Sequence, residues 1–183
     1  MLRSRSKPSS ILTVGHSTHS IEEFLELLTA HGVQQLVDIR TIPKSRRNPQ
    51  FNTDALAATL KAGHIRYEHM PGLGGLRHPR KDSINTAWRN DSFRGYADYM
   101  QTPAFEESLH TLIETASDKR TAIMCAEAVP WRCHRSLVAD ALTARGVAVE
   151  HIMSPSTRKP HSYTPFALVE GEKVTYPGLP PVA

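Results

Sequence analysis

Two periods of apolar residues alternate along this chain and divide it into short strands and amphipathic helices. Residues 11–15 (ILTVG) form a continuous apolar run closed by glycine, as a strand buried on both faces requires. Ser20 and Glu23 then make a capping box. Behind it Ile21, Phe24, Leu25, Leu27 and Leu28 trace one helical face until His31 and Gly32 end it. Residues 35–39 (QLVDI) predict a second strand. Residues 53–62 predict a helix with Ala55, Leu56 and Leu60 inward, and the alternation in 64–70 (HIRYEHM) predicts a third strand. Helical patterns return over 93–100 and after the Thr102-Pro103 start signal, where Phe105, Leu109, Leu112 and Ile113 share a face. A fourth strand at 121–124, a helix over about 130–145 stopped by Gly146, and a fifth strand at 147–152 complete the regular part. Residues 166–176 fit a small hairpin turning at Glu170-Gly171.

Strands alternating with helices predict an α/β fold: three layers, a mostly parallel five-stranded sheet and helices on both faces. Short right-handed crossovers favour the order 3-2-1-4-5, with a C-terminal hairpin outside the sheet. The organisation expected is a disordered basic extension at 1–10, one α/β domain at 11–153, and a C-terminal extension at 154–183, irregular or a small hairpin. At 183 residues the chain suits one domain with a substantial core, not two. In the expected order the connections after strands one and four meet at the topological switch, where open α/β sheets hold their ligands.

That placement makes residues 125–135 (CAEAVPWRCHR) the most informative segment. It carries both cysteines of the chain, two arginines, a carboxylate and a histidine on one strand-to-helix connection. A thiolate at Cys125 would be favoured by unpaired backbone N–H groups near the helix start, and by Arg132 and Arg135. Cys125 or Cys133 therefore reads as a nucleophile with His134 or His16 as base, or else as a small apolar core residue. Two further readings are a redox pair, although seven intervening residues is wide spacing for one, and zinc held by Cys125, Cys133, His134 and His16. Zinc is disfavoured because adjacent helical side chains point about 100° apart. No other cofactor is indicated. Glu127 reads as an acid/base group or as a salt-bridge partner of the nearby arginines.

The remaining candidates lie on facing loops. Ser17 follows His16 and reads as a ligand contact or a helix cap. Asp38 and Arg40 end strand two, and read as an ion pair or, with Ser45 and Arg46, as a phosphate-binding rim. Arg135 stands one turn into its helix, where an anion at the N-terminus could meet it. Gly74 and Gly75 lie in a loop without the spacing of a P-loop or a dinucleotide fingerprint, so backbone geometry is the simpler reason for them, though they could also approach a substrate.

Charge narrows the partners only slightly. The net charge is +4, but Arg3, Arg5 and Lys7 supply most of it, so the domain itself is almost neutral. The local exception is Arg40, Lys44, Arg46 and Arg47, a cluster with no acid between Asp38 and Asp54. Apolar content of 39% without any membrane-length run argues against a membrane partner. Residues 1–10 lack the apolar core of a secretory signal, and two cysteines do not make a disulfide scaffold, so a cytoplasmic protein is expected.

Four separated segments carry a family resemblance: Thr13-Val14-Gly15-His16-Ser17; Val37-Asp38-Ile39-Arg40 with Pro43 and Ser45-Arg46; Leu73-Gly74-Gly75; and Met124-Cys125-Ala126-Glu127 with Cys133-His134-Arg135. In this order they resemble domain-of-unknown-function family 488, over about residues 11–152. The resemblance implies an α/β fold in cytoplasmic bacterial or archaeal proteins and supplies no reaction. From the residues, the leading expectation is an enzyme acting on a small phosphate-bearing ligand, a nucleotide or a nucleic-acid end. The alternatives are a non-catalytic nucleotide- or nucleic-acid-binding module, and an interaction protein whose polar cluster is a buried network.

Overall fold

The computed structural model describes residue 8 and residues 10–179. The expected N-terminal extension lies almost wholly outside these residues, as do the last four residues of the tail. The elements run β1 (Ser10–Gly15), α1 (Ile21–Ala30), β2 (Gln35–Asp38), α2 (Thr53–Ala62), β3 (Arg66–His69), α3 (Asp91–Tyr99), α4 (Pro103–Thr115), β4 (Thr121–Cys125), α5 (Arg135–Ala144), β5 (Ala148–Ser154), β6 (Thr157–Pro160), β7 (Leu168–Glu170) and β8 (Lys173–Thr175).

Local chemistry explains the boundaries. Ser20 Oγ accepts from Glu23 N while Glu23 Oε2 accepts from Ser20 N, so the capping box starts α1 where the sequence places it. A box of this kind contributes about 1 kcal/mol. Thr102 caps α4 through Phe105 N, with Pro103 in its first turn. The helix expected over about 130–145 is interrupted: a 3₁₀ turn, Pro130–Arg132, precedes an extended Cys133, and α5 begins only at Arg135. This break keeps Cys133 off the helix surface and turns it toward β4.

The main sheet has the order β3-β2-β4-β1-β5-β6, parallel throughout except for β6, and β7 pairs antiparallel with β8 as a separate hairpin. The α/β architecture and the hairpin follow the expectation. The order differs by the exchange of β1 and β4 and by the sixth strand. β1 and β4 have equivalent apolar patterns and both are buried on both faces, so periodicity does not say which of them lies beside β2. Every residue of β6 is exposed, which leaves no apolar signal for it. Because β1 and β4 pair in either order, with Gly15 opposite Cys125, the two connections meet as expected. β4 also pairs with β2, so the Asp38–Arg40 turn borders the same spot from the other side.

Two apolar layers enclose the sheet. On one face Leu12, Val14, Leu36, Ala122 and Met124 pack against α1 and α2 through Phe24, Leu28, Leu56 and Leu60. On the other Ile11, Val37, Ile39 and Ile123 meet α3, α4 and α5 through Tyr96, Phe105, Leu109 and Leu137. The crossovers leaving β1 and β2 thus cover one face and those leaving β3 and β4 the other. The crevice between the two sets opens at the carboxyl ends of β1, β2 and β4. Among the described residues no helix is long and apolar enough to cross a membrane.

Candidate active site

Three backbone contacts hold the Cys125 loop in place. His16 N donates to Cys125 O, Ser17 N to Ala126 O, and Ile39 N to Met124 O, so the ends of β1 and β2 clamp the end of β4. The loop then passes directly over Gly15. A Cβ at that position would stand 1.9 Å from Glu127 O and 2.7 Å from Glu127 C, so the site requires glycine there for close approach. Gly15→Ala is expected to lower stability by about 1–3 kcal/mol through overpacking. Urea denaturation measures this, and an unchanged midpoint would refute the clamp.

Beneath the loop lies Arg135, among the largest fully buried side chains of the protein. Its Nη1 donates to Cys125 Sγ at 2.7 Å and to Glu127 O, and its Nη2 to Ala128 O at 2.8 Å. Among the described residues its Nε is buried without a partner. Of the two roles the sequence suggests for Arg135, stabilising the Cys125 thiolate and meeting a ligand anion, its contacts match the first, and the guanidinium also organises the protein's own loop. In a planar trans peptide, N–H and C=O point opposite ways. By drawing two carbonyls inward, Arg135 turns the Ala128 and Val129 N–H groups outward.

The two thiols occupy one spot. Cys125 Sγ and Cys133 Sγ are 2.6 Å apart, both residues are free cysteines, and Arg135 N also donates to Cys133 Sγ at 3.5 Å. Burial alone would raise the Cys125 thiol. The hydrogen bond with Cys133, the charge and N–H of Arg135 and the contact with Glu127 O outweigh burial and bring it down to about 7. Burial and the adjacent Cys125 sulfur push Cys133 well above the ordinary thiol range. Of the two sulfurs, Cys125 is therefore the one that favours the negative charge, and Cys133 stays the thiol.

His134 stands against this pair. Its Nε2 faces the Ile39 carbonyl at 3.2 Å and must carry the hydrogen, leaving the Nδ1 lone pair 3.6 Å from Cys133 Sγ. Burial, then the nearby arginine charges, lower its pKa to about 4, so the ring is neutral and accepts at Nδ1. The Gly75 position is shaped to this ring, since a Cβ there would approach Nδ1 to 3.1 Å. At Gly74 a Cβ would meet Thr41 Oγ1 at 2.3 Å. The Gly-rich loop serves close packing, held by Tyr96 Oη on Leu73 O and Tyr99 Oη on Gly72 O.

Asp38 and Arg40 form a buried, two-point ion pair, Nε to Oδ1 at 2.9 Å and Nη2 to Oδ2 at 2.6 Å. Phe51 O accepts from the same Nη2, and Tyr67 Oη donates to Asp38 Oδ2. His16 stacks on Phe51; its Nδ1 donates to Ser17 O and its Nε2 accepts from Arg40 Nη1 at 3.3 Å. Burial lowers its pKa to about 4. His16 and Asp38 therefore support Arg40 from behind.

A cavity of about 330 Å³, within the range of small-molecule sites, opens over the two thiols. Arg40, Gly75, Cys125, Glu127, Cys133 and His134 are the expected residues that line it. Thr41, Phe93, Tyr96 and Arg132 join them, with Ile42 and Leu76 as exposed apolar rims. His16, Ser17, Asp38, Ser45, Arg46, Gly74 and Arg135 do not line it. Ser45 Oγ accepts from Asn48 N inside its own loop, and Arg46 is exposed. Among the described residues no group of three or more His, Cys, Asp or Glu side chains is arranged to hold a metal ion.

One polar array has no counterpart among the sequence expectations. Asp140 Oδ1 accepts from His161 Nε2 at 2.7 Å, His161 Nδ1 meets His151 Nε2 at 3.0 Å, and His151 Nδ1 accepts from Thr13 Oγ1 at 2.7 Å. Tyr176 Oη and Thr164 Oγ1 satisfy Asp140 Oδ2. Asp140 on the apolar face of α5 was the one available signal, because a charge at such a position demands a partner.

The fold and site define an α/β protein with a paired-thiol cavity at the carboxyl edge of a mostly parallel sheet. The family described as Domain of unknown function DUF488 matches residues 20–142, and the chain belongs to it. The match contains the Cys125 loop and leaves out the Gly15-His16-Ser17 turn that faces it. No curated protein and no solved structure matches the chain.

Proposed function

We propose that the protein is a cytoplasmic enzyme in which Cys125 attacks a small phosphate-bearing substrate, a nucleotide or a nucleic-acid end. The observation that carries this reading is the Cys125 sulfur: it contacts Arg135 at 2.7 Å and also forms part of the wall of a ligand-sized cavity. A buried thiolate held by a guanidinium is a prepared nucleophile. Arg132, more exposed on the same wall, and Arg40 supply positive charge for the substrate's phosphate, and Glu127 is the wall carboxylate able to carry a proton to or from the reacting atoms. The neutral His134 serves Cys133 rather than Cys125. Arg135 contributes indirectly, by shaping the loop and holding the thiolate.

A screen of nucleotides and phosphate esters tests the reading. Cys125→Ser should remove turnover by at least about a hundredfold while leaving substrate binding within a few-fold. Arg132→Ala should raise KM. Full activity in Cys125→Ser would sink the assignment. A second reading, a non-catalytic nucleic-acid-binding module, draws on Lys44, Arg46 and Arg47, all exposed on one loop. It requires affinity for single-stranded oligonucleotides that falls steeply with salt and with charge removal from that loop.

A further inference from the structure

We propose that Cys125 and Cys133 form a hydroperoxide-reducing dithiol, in which Cys125 attacks the peroxide and Cys133 closes a disulfide with it. The geometry is that of a reactive pair rather than a structural one. Both residues line the cavity, so a small oxidant reaches both. Their sulfurs are already 2.6 Å apart, about half an ångström beyond a covalent S–S bond. Bridging them needs a small local shift rather than a rearrangement of strand or helix, because Cys133 lies on the connecting loop ahead of α5.

Their roles differ by contact. Arg135 Nη1 donates to Cys125 Sγ, stabilising charge there, while His134 Nδ1 faces Cys133 Sγ at 3.6 Å as a neutral acceptor. In the first step the Cys125 thiolate bonds to one peroxide oxygen and the O–O bond breaks. Cys125 becomes a sulfenic acid, and the alkoxide or hydroxide released takes a proton from water. In the second step the Cys133 sulfur bonds to Cys125 Sγ as the S–O bond breaks, and the Cys133 S–H proton passes to the departing oxygen. The sulfenic O–H and that proton leave together as one water. Two electrons pass from the sulfur pair to the O–O bond, giving one disulfide, one alcohol or water from the peroxide, and one further water. An external thiol such as dithiothreitol reverses the disulfide. Phe93 and Tyr96 on the wall, with Ile42 and Leu76 at its rim, also suit an organic hydroperoxide.

This chemistry does not depend on the phosphate-bearing substrate, and its test needs no turnover of one. Fully reduced full-length protein is mixed near neutral pH with one equivalent of hydrogen peroxide or tert-butyl hydroperoxide, then read by intact mass and thiol titration. The expected product has lost two hydrogen atoms and both titratable thiols, and dithiothreitol restores them. Cys133→Ser should still consume peroxide but form no disulfide, and should instead gain one oxygen that dimedone traps. Cys125→Ser should react at least about tenfold more slowly. Circular dichroism on each variant checks its fold, and the wild-type measurement stands without them. Retention of both thiols, an oxygen adduct on wild type in place of the disulfide, or wild-type reactivity in Cys125→Ser would each overturn the proposal. None of these results would alter the phosphate-ester screen, so the two ideas fail separately.

Discussion

Arg135→Ala is expected to destabilise the fold by about 3–5 kcal/mol, the cost of removing one partner from a buried charge-assisted cluster. The loss has identifiable parts. Cys125 Sγ, Glu127 O and Ala128 O all lose their guanidinium donors in a place that water reaches poorly, and a cavity remains where a large, fully buried side chain stood. The same change removes the positive charge that opposes burial at Cys125, so that thiol should rise from about 7. Iodoacetamide alkylation followed against pH reads the shift directly. Arg135→Lys separates the two effects: an ammonium retains charge but lacks the planar fork that spans two carbonyls and a sulfur. It should recover part of the thiol shift and less of the stability. An Arg135→Ala protein with normal urea stability and an unmoved alkylation profile would show that the guanidinium does not organise the loop.

The second large effect is acid destabilisation well above the range where carboxylates titrate. His16 and His134 are lowered to about 4 and His151 to about 3, in each case first by burial, with neighbouring cationic or histidine groups acting in the same direction. In the unfolded chain all three return to about 6.5. A histidine whose folded pKa is depressed favours the neutral form, so its contribution is complete above 6.5 and is lost as pH falls toward 4 and then 3. A tenfold difference in proton affinity between the folded and unfolded chain is worth about 1.4 kcal/mol. Together the three rings should remove several kcal/mol between pH 7 and pH 4. The urea midpoint is therefore expected to fall steadily over that interval. His134→Gln should flatten the slope, since the amide can still donate to Ile39 O but does not titrate. A midpoint constant from pH 7 to pH 4.5 would contradict the burial of these rings.

Much of this molecule was readable from local pattern. Ser20 and Glu23 announced α1, Thr102-Pro103 announced α4, and residues 53–62 matched α2 at both ends. These succeed because capping and amphipathic periodicity are decided within one turn of chain. The positions that local pattern left open share a different cause. Arg135 had the correct place at a helix start, but whether its long side chain faces a ligand or its own loop depends on where two distant carbonyls lie. At Arg40 the expected ion pair with Asp38 forms, braced by Tyr67 and Phe51, and the residue also lines the cavity wall. Thr13, His151, His161 and Asp140 come from β1, β5, the chain after β6 and α5, so no sequence window contains their hydrogen bonds.

By itself the sequence determined the α/β alternation, the burial of β1 and β4, and the gathering of reactive side chains between Cys125 and Arg135. Each follows from short-range propensity and from the need to bury continuous apolar runs. Only the tertiary structure decided that β4 lies between β2 and β1, because equally apolar strands are interchangeable until helices are packed across them. It alone set two sulfurs 2.6 Å apart over a buried guanidinium, since that distance depends on the 3₁₀ turn, the Gly15 contact and the seating of α5 together.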